Sequence, residues 1–267
     1  MNGSFLSSLR TLIETYAPLD VIVIIENFDR FLYGVLVTLE LTFLSLALGA
    51  MLAIPLAIIL ASDHRIGKFL VASYTYLFRG TPLLIQTYLI YFGLGQFAWV
   101  RESLLWDPIL SQAWWCALIA FTLNTTAYTT ELFCGAIKAT PKGEKEAAIA
   151  CGFSAAGRMR HIILPAALRR ALPAYSNEVI FMLHGSVIAS TITLQDILGV
   201  GRWLNGRYYL AYEGFITAAV LYMILVFFIT RVFRYSEQRW LAHLQPRSTR
   251  EIGAGDKGGM PPTLHVR

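Results

Sequence analysis

The chain has 267 residues, of which 56% are hydrophobic, and its mean hydropathy is +0.55. Because soluble domains contain about 45–50% apolar residues, this composition excludes an ordinary soluble protein and indicates a single integral membrane domain. The formal net charge is +5, and the position of the basic residues relative to the apolar segments is more informative than their sum.

The N-terminal segment, residues 1–30, is acidic. It contains Glu14, Asp20, Glu26 and Asp29. It also lacks the basic start, short apolar core and small-residue cleavage site that together define a secretory signal peptide. We therefore expect no removable leader and assign this segment to the outer side of the membrane.

Five apolar stretches follow, and each is long enough to cross a hydrocarbon core of about 30 Å, which takes about 20 helical residues. The first exceeds this length and should tilt or protrude. The stretches are residues 31–61, 80–100, 114–137, 172–198 and 211–233. The sequence thus predicts an all-α integral membrane protein with about five transmembrane helices, in a membrane domain over residues 31–242.

Basic residues are concentrated in alternate loops. They are frequent after the first, third and fifth stretches and scarce elsewhere, so the positive-inside rule places the N-terminus outside and the C-terminus in the cytoplasm. Beyond the last stretch, glycines and prolines are mixed with polar residues. Such a segment buries too little apolar surface to become ordered, so we expect residues 243–267 to form a disordered cytoplasmic tail.

Residues 146–165 form the only long polar interruption between two strongly apolar stretches. The segment begins with a Glu-Ala-Ala sequence of good helix formers. Gly152 is suited to end a helix, and Pro165 does not fit inside a continuing one. We predict a short surface helix, a turn and a second helix on the cytoplasmic side.

The spacing of this segment resembles the cytoplasmic loop of the permease subunits of bacterial ATP-binding cassette (ABC) importers. The resemblance is carried by Glu146, Ala147, Ala148, Gly152, Ile162, Leu164 and Pro165. In that family the loop forms a coupling helix that docks on an ATPase subunit, so the resemblance assigns these residues to ATPase coupling and residues 138–171 to the coupling loop. An ordinary amphipathic loop is the alternative interpretation.

Residues 78–82, 124–131 and 172–184 also resemble the polar amino acid branch of these permeases, in particular the M-type subunits of importers for basic amino acids and opines. The resemblance implies a type I importer permease fold in the bacterial inner membrane. It further implies three kinds of partner protein: a related permease in a heterodimer, an ATPase dimer and a periplasmic solute-binding protein.

The sequence has no nucleotide site of its own. Residues 152–159 have the glycine spacing of a P-loop, but Arg158 and Met159 stand where Lys and Ser or Thr are required. We expect a non-catalytic subunit whose ATP is hydrolysed by a partner chain. No histidine pairs with cysteine or carboxylate at ligand spacing, so no metal or cofactor is expected. The aromatic residues match an interfacial belt, and no nucleic-acid partner is expected.

Two polar groups within the predicted spans are candidates for a solute path. Asn124, Tyr128 and Glu131 recur at i, i+4 and i+7 and therefore share one helical stripe. Ionisable side chains are costly in a membrane, so such a stripe faces protein or a water-filled path. The second group opens the fourth span and consists of Ser176, Asn177 and Glu178.

Acidic groups along a path favour a cationic solute, because carboxylate contacts with ammonium or guanidinium groups are charge-assisted hydrogen bonds. Glu40 is a third acidic candidate, in the outer half of the first span, where an apolar or aromatic residue is expected in the relatives. Arg79 is included in the path, although anchoring the second span is its favoured role. His184, on the face of Asn177, is interpreted as a buried histidine.

The predicted function is therefore the permease subunit of an ATP-driven importer for arginine, histidine, lysine, ornithine or related opines. One alternative is the same importer class with another polar amino acid as cargo. A stand-alone secondary transporter would show inverted repeats, and a membrane enzyme would show a clustered nucleophile and base. We detect neither pattern.

Overall fold

The structure is a computed structural model that describes residues 21–240. The predictions for residues 1–20 and for the tail at 243–267 lie outside this range. Every regular element within the described range is helical, as the sequence predicted.

The first half of the described chain contains two long helices and a broken one. Helix α1 (Val21–Glu26) leads into α2 (Phe28–Ala61), and α3 (Arg65–Gly80) turns back towards it. After Pro82 the chain continues as α4 (Leu83–Tyr88), followed by the π-helical turn Leu89–Gly93, the 3₁₀ turn Leu94–Gln96 and α5 (Ala98–Arg101). The second predicted span is thus a series of short helical pieces rather than one α-helix. Its glycines at 93 and 95 weaken helical continuity.

The second half contains three long helices. Its elements are the π-helical turn Trp106–Leu110, α6 (Ala113–Lys138), α7 (Lys142–Ala150), α8 (Ala155–Arg158), the π-helical turn Met159–Ile163, α9 (Leu164–Gly185), the 3₁₀ turn Ser186–Ile192, α10 (Ile197–Tyr208) and α11 (Ala211–Trp240). The chain thus remains helical across Pro165, where we expected a break. Pro165 lies in the first turn of α9, and the wider π-helical turn before it accommodates the missing proline N–H.

Two helices within the described residues, α2 and residues Ala211–Ser236 of α11, are long and apolar enough to span a membrane. The helical run Ala155–Ile192 and helix α10 form a bent pair that makes a third if the pair is one span. Helix α6 is 26 residues long and matches the third predicted span in position. Its threonines, Asn124 and Glu131 make it less apolar. The count of five spans and the orientation of the termini stay predictions.

Helix α6 lies at the centre of the structure and packs against α2, α3, α4 and α9. Its contact with α2 is close because α2 presents small residues along its buried side. At Gly49 an added Cβ would collide with the side-chain methyl group of Thr125. One face of α6 is thus fixed against α2, while the opposite face is turned towards α3, α4 and α9, where the polar residues gather.

Candidate functional site

A cavity of about 440 Å³ lies between α4, α6 and α9. Four of the predicted path residues line it: Asn124 and Tyr128 from α6, and Asn177 and Glu178 from α9. The remaining lining is Leu83, Ala174, Phe181, Met182, Gly185 and Ile188. A largely apolar pocket with a few polar groups, of this volume, suits an organic molecule the size of an amino acid.

Glu178 is the acidic group of the cavity lining. One of its oxygens, Oε1, accepts a hydrogen bond of 2.9 Å from the hydroxyl of Thr125 on α6. This bond connects two helices whose residues are 53 positions apart in the chain. The carboxylate is therefore held in place by a neutral donor, without an ion-pair partner within 4 Å among the described residues, and it retains acceptor capacity for a ligand.

Asn124 joins the cavity to the break between α3 and α4. Its amide donates 3.0 Å to Oε1 of Gln86 and 3.3 Å to the backbone oxygen of Phe78. The amide of Gln86 in turn donates to Phe78, to the backbone of Thr81 and to the Thr81 hydroxyl, at 2.7–3.0 Å. Gln86 was missed by the sequence analysis, because its polar signal is a single amide in an apolar stretch.

Glu131 and Arg79 form a separate group beside the cavity. Nη1 of Arg79 lies 3.8 Å from Oε1 of Glu131, and both side chains are partly exposed, at 43% and 36%. The same carboxylate oxygen accepts 2.8 Å from the Thr75 hydroxyl. The guanidinium carbon of Arg79 stands 5.4 Å from the ring centre of Tyr128. Tyr128 thus connects this group to the cavity.

Three residues lie apart from the cavity. Glu40 is exposed on the side of α2 opposite to its buried face. The hydroxyl of Ser176 donates 2.7 Å to the backbone oxygen of Pro173, and Ser176 does not line the cavity. His184 is exposed, so its interpretation as a buried histidine is wrong. It lies in the last turn of α9.

Residues 142–165, from the start of α7 to the first turn of α9, are called the coupling segment below. Helix α7 ends at Ala150, and Gly152, two residues further on, has a positive φ of 77°. The N–H of Gly152 donates 2.9 Å to Ile149, and the N–H of Phe153 donates 3.1 Å to Ala148. This pair of bonds is a Schellman motif, in which glycine is favoured at the left-handed position. The predicted helix and turn are confirmed.

The residues of the resemblance divide by exposure. Glu146 and Ala147 are exposed, whereas Ala148 is buried at 4%. Two large apolar side chains that the sequence analysis did not single out are also exposed, Ile149 at 56% and Phe153 at 41%. Downstream, the partly buried motif residues are Ile162, Leu164 and Pro165. Helix α7 thus presents an exposed surface with both polar and apolar groups.

The chain is similar to characterised transport proteins over most of its length. It is 45% identical over 216 residues to the histidine/lysine/arginine/ornithine transport system permease protein HisM of Escherichia coli K12, covering 81% of this chain and 91% of HisM. It is 41% identical over 250 residues to the octopine transport system permease protein OccM of Rhizobium meliloti, covering 93% of this chain and all of OccM.

Solved structures have the same fold. A chain from the crystal structure of an amino acid ABC transporter with histidines is 31% identical, with a TM-score of 0.74, covering 83% of this chain and 99% of that one. A chain of the MetNI methionine ABC transporter, at 20% identity and a TM-score of 0.67, has the same fold. The family model described as binding-protein-dependent transport system inner membrane component matches residues 53–242. With that match over most of its length, the chain belongs to the family of inner membrane components of binding-protein-dependent transport systems.

Proposed function

We propose that this chain is the permease subunit of an ABC importer that carries basic amino acids or opines inward across the bacterial inner membrane. The observation that carries the proposal is the cavity of about 440 Å³, in which Glu178 lies beside Asn124, Tyr128 and Asn177. This partly buried carboxylate accepts a hydrogen bond from the Thr125 hydroxyl and has no ion-pair partner within 4 Å among the described residues, so it can offer a cationic cargo a charge-assisted hydrogen bond.

The relatives support the chemical class of the cargo. HisM is named for histidine, lysine, arginine and ornithine, and OccM for octopine. These compounds are amino acids or amino acid derivatives with an additional basic nitrogen group. A second carboxylate, that of Glu131, lies beside the cavity and is paired with Arg79, so Glu178 is the carboxylate that is open to an entering cation.

The coupling segment is proposed as the contact with a separate ATPase dimer. Helix α7 presents Glu146 and Ala147 next to the exposed Ile149 and Phe153. A surface of mixed apolar and charged groups fits a protein partner. The permease makes no covalent bond itself. Closure of the ATPase dimer on ATP would draw the coupling segments together and open the cavity to the periplasm. ATP hydrolysis would then let the cavity open to the cytoplasm again.

The proposal includes two further partners. A periplasmic solute-binding protein delivers the cargo, and a related permease completes the membrane unit as a heterodimer. In this arrangement the N-terminus lies in the periplasm and the C-terminus in the cytoplasm, in agreement with the distribution of Lys and Arg along the chain. The coupling segment then faces the compartment that contains ATP.

The proposal is tested by ATPase activity of the reconstituted complex with its binding protein, stimulated in turn by arginine, histidine, lysine, ornithine, octopine, glutamate and glutamine. We expect stimulation by the cationic compounds and octopine. In Glu178→Gln the half-saturating cargo concentration should rise about tenfold or more, because a hydrogen bond to a charged group contributes about 1.5–3 kcal/mol. Glu178→Asp, which keeps the charge, is the matched variant and should lose less.

Two results would contradict the cargo assignment. Stimulation by glutamate or glutamine alone would indicate another polar amino acid as cargo and leave the importer class intact. A Glu178→Gln complex indistinguishable from wild type would show that the carboxylate only ties α9 to Thr125. A permease that transports without any ATPase would instead indicate a secondary transporter.

A further inference from the structure

Arg79 occupies a position that a cationic cargo would also favour. Its guanidinium is within 4 Å of the carboxylate of Glu131 and lies over the ring of Tyr128, which lines the cavity. A carboxylate next to an aromatic face is the environment that proteins use to bind guanidinium and ammonium groups. The protein thus has its own cation beside the cavity.

The contacts of this internal cation are weak. The Nη1 to Oε1 distance of 3.8 Å is too long for a hydrogen bond, and no hydrogen bond from the guanidinium is seen within the described residues. The hydroxyl of Tyr128 donates to the backbone oxygen of Arg79 at 3.4 Å, and not to its guanidinium. Exposed ion pairs of this kind contribute little stability, so the guanidinium is easily displaced.

Glu131 retains capacity for a second cation. Its Oε1 accepts from Thr75 and faces Arg79, while Oε2 has no hydrogen-bond partner among the described residues. Glu178 lies on the wall of the same cavity that Tyr128 lines. Removing the positive charge of Arg79 would therefore leave two carboxylates and an aromatic ring available to a ligand.

We propose that Arg79 is a specificity-determining residue that acts as a tethered competitor: its guanidinium fills the cation site formed by Glu131 and Tyr128 until cargo displaces it. This inference rests on the proposed function, because it assumes a cationic cargo. The tether keeps the empty site close to neutral. A single small cation then gains little on entering, whereas an amino acid that also contacts Glu178 and Asn124 gains enough to displace Arg79.

The test is binding of radiolabelled arginine to the purified, nucleotide-free complex in lipid nanodiscs, without the binding protein. We expect Arg79→Gln to bind arginine about three- to tenfold more tightly than wild type, since the competing contacts are weak. Arg79→Lys keeps the charge but loses the planar stacking surface, so its gain should be smaller. The double variant Glu131→Gln/Arg79→Gln should bind arginine no more tightly than wild type, because the Glu131 carboxylate that Arg79→Gln makes available is then absent.

Arg30 provides the matched control. Its guanidinium carbon lies 4.1 Å from the ring centre of Trp203, a similar cation and ring contact that is not part of the cavity lining. Arg30→Gln should leave arginine binding unchanged. Agmatine, which is arginine without its carboxylate, serves as a second probe, and Arg79→Gln should tighten the binding of both compounds.

Weaker arginine binding by Arg79→Gln, with agmatine binding unaffected, would overturn the proposal and show that Arg79 holds the cargo carboxylate. A gain that persists in the double variant would also overturn it. If Arg79→Gln does not assemble, Arg79→Lys decides, and binding no tighter than wild type refutes the competitor role. A wild-type complex that binds glutamate or glutamine but no cationic compound would instead refute the proposed function.

Discussion

The coupling segment and the cavity are held in shape by different kinds of contact. The coupling segment is fixed by backbone hydrogen bonds between near neighbours, such as Phe153 to Ala148. The cavity is fixed by side-chain hydrogen bonds between distant residues, with Thr125 and Glu178 separated by 53 positions and Asn124 and Gln86 by 38. Substitutions that change the backbone conformation should therefore disturb the coupling segment, and substitutions that remove a polar side chain should disturb the cavity.

This difference fits the proposed roles of the two regions. A coupling segment that transmits force must keep its shape while its surroundings move, and a locally hydrogen-bonded turn keeps its shape without help from other helices. A cavity that opens to either side must change when helices shift. Bonds such as Thr125 to Glu178 lie between helices, so they lengthen or break when α6 and α9 move apart.

Gly152→Val should give the largest effect. Its φ of 77° costs a non-glycine residue about 1–2 kcal/mol, and a β-branched residue is especially unfavourable there. An added Cβ would meet no atom within 4 Å, so the backbone conformation alone is disturbed. We expect cargo-stimulated ATPase activity to fall about tenfold or more, with arginine binding to the nucleotide-free complex within about twofold of wild type.

Gly143→Val is the control for this prediction. Gly143 lies in the first turn of α7 and also has no atom within 4 Å of an added Cβ, but its φ is not positive. Valine has a slightly higher helix propensity than glycine, so this substitution should not weaken α7. Equal losses in the two variants would show that bulk on the docking surface, rather than the helix end at Gly152, limits coupling.

Asn124→Leu should give an intermediate effect, on stability. It removes the donor to Gln86 and Phe78 and leaves Oε1 of the buried Gln86 without this donor, which costs about 1–3 kcal/mol, while the Phe78 oxygen keeps its bond from the Gln86 amide. The matched variant is Thr130→Val, six residues further along α6, because the Thr130 hydroxyl is buried and has no hydrogen-bond partner among residues 21–240. Replacing that hydroxyl with a methyl group should be neutral or slightly stabilising.

Thermal unfolding of the detergent-solubilised complex distinguishes the two variants. A loss of 1 kcal/mol corresponds to a shift of about 2–4 °C in a chain of this size. Equal unfolding midpoints for Asn124→Leu and Thr130→Val would mean that the amide network at the α3–α4 break contributes no stability. The cavity would then depend on packing alone.

The sequence predicted the coupling segment closely because its determinants are local. The turn at Gly152 ends α7 through the bonds from Gly152 to Ile149 and from Phe153 to Ala148, which join residues three and five positions apart, and such a signal is visible in any short window of sequence. The sequence analysis expected the helix to break at Pro165, whereas the chain stays helical there. The π-helical turn that makes this possible has no simple sequence signature. Glu131 and Tyr128 were placed on one stripe correctly, since helical periodicity is equally local.

The cavity was predicted only in part, because its assembly depends on which helices meet. Asn124 and Glu178 were identified separately, but periodicity cannot show that α4 supplies Gln86 between α3 and α6. Asp196 was also missed. It is fully buried and caps α10 by accepting 2.8 Å from Gly199, with the Tyr222 hydroxyl 3.3 Å from its other oxygen. Asp196 precedes the first turn of α10, so no helical pattern of polar residues marks it in the sequence.

Glu40→Gln should give the smallest effect, and it tests whether a carboxylate must be near the cavity to select cargo. Glu40 is exposed on α2, away from the cavity, and makes no hydrogen bond or ion pair with the described residues. We expect the half-saturating arginine concentration for ATPase stimulation to stay within about twofold of wild type, since solvent and salt screen a distant exposed charge.

The half-saturating arginine concentration of Glu131→Gln should lie between those of Glu40→Gln and Glu178→Gln, because the Glu131 carboxylate lies beside the cavity but is shared with Arg79. A Glu40→Gln complex impaired as strongly as Glu178→Gln would place α2 in the cargo path. The cation-selecting surface would then extend beyond the contact between α6 and α9 and include the exposed face of α2 that carries Glu40.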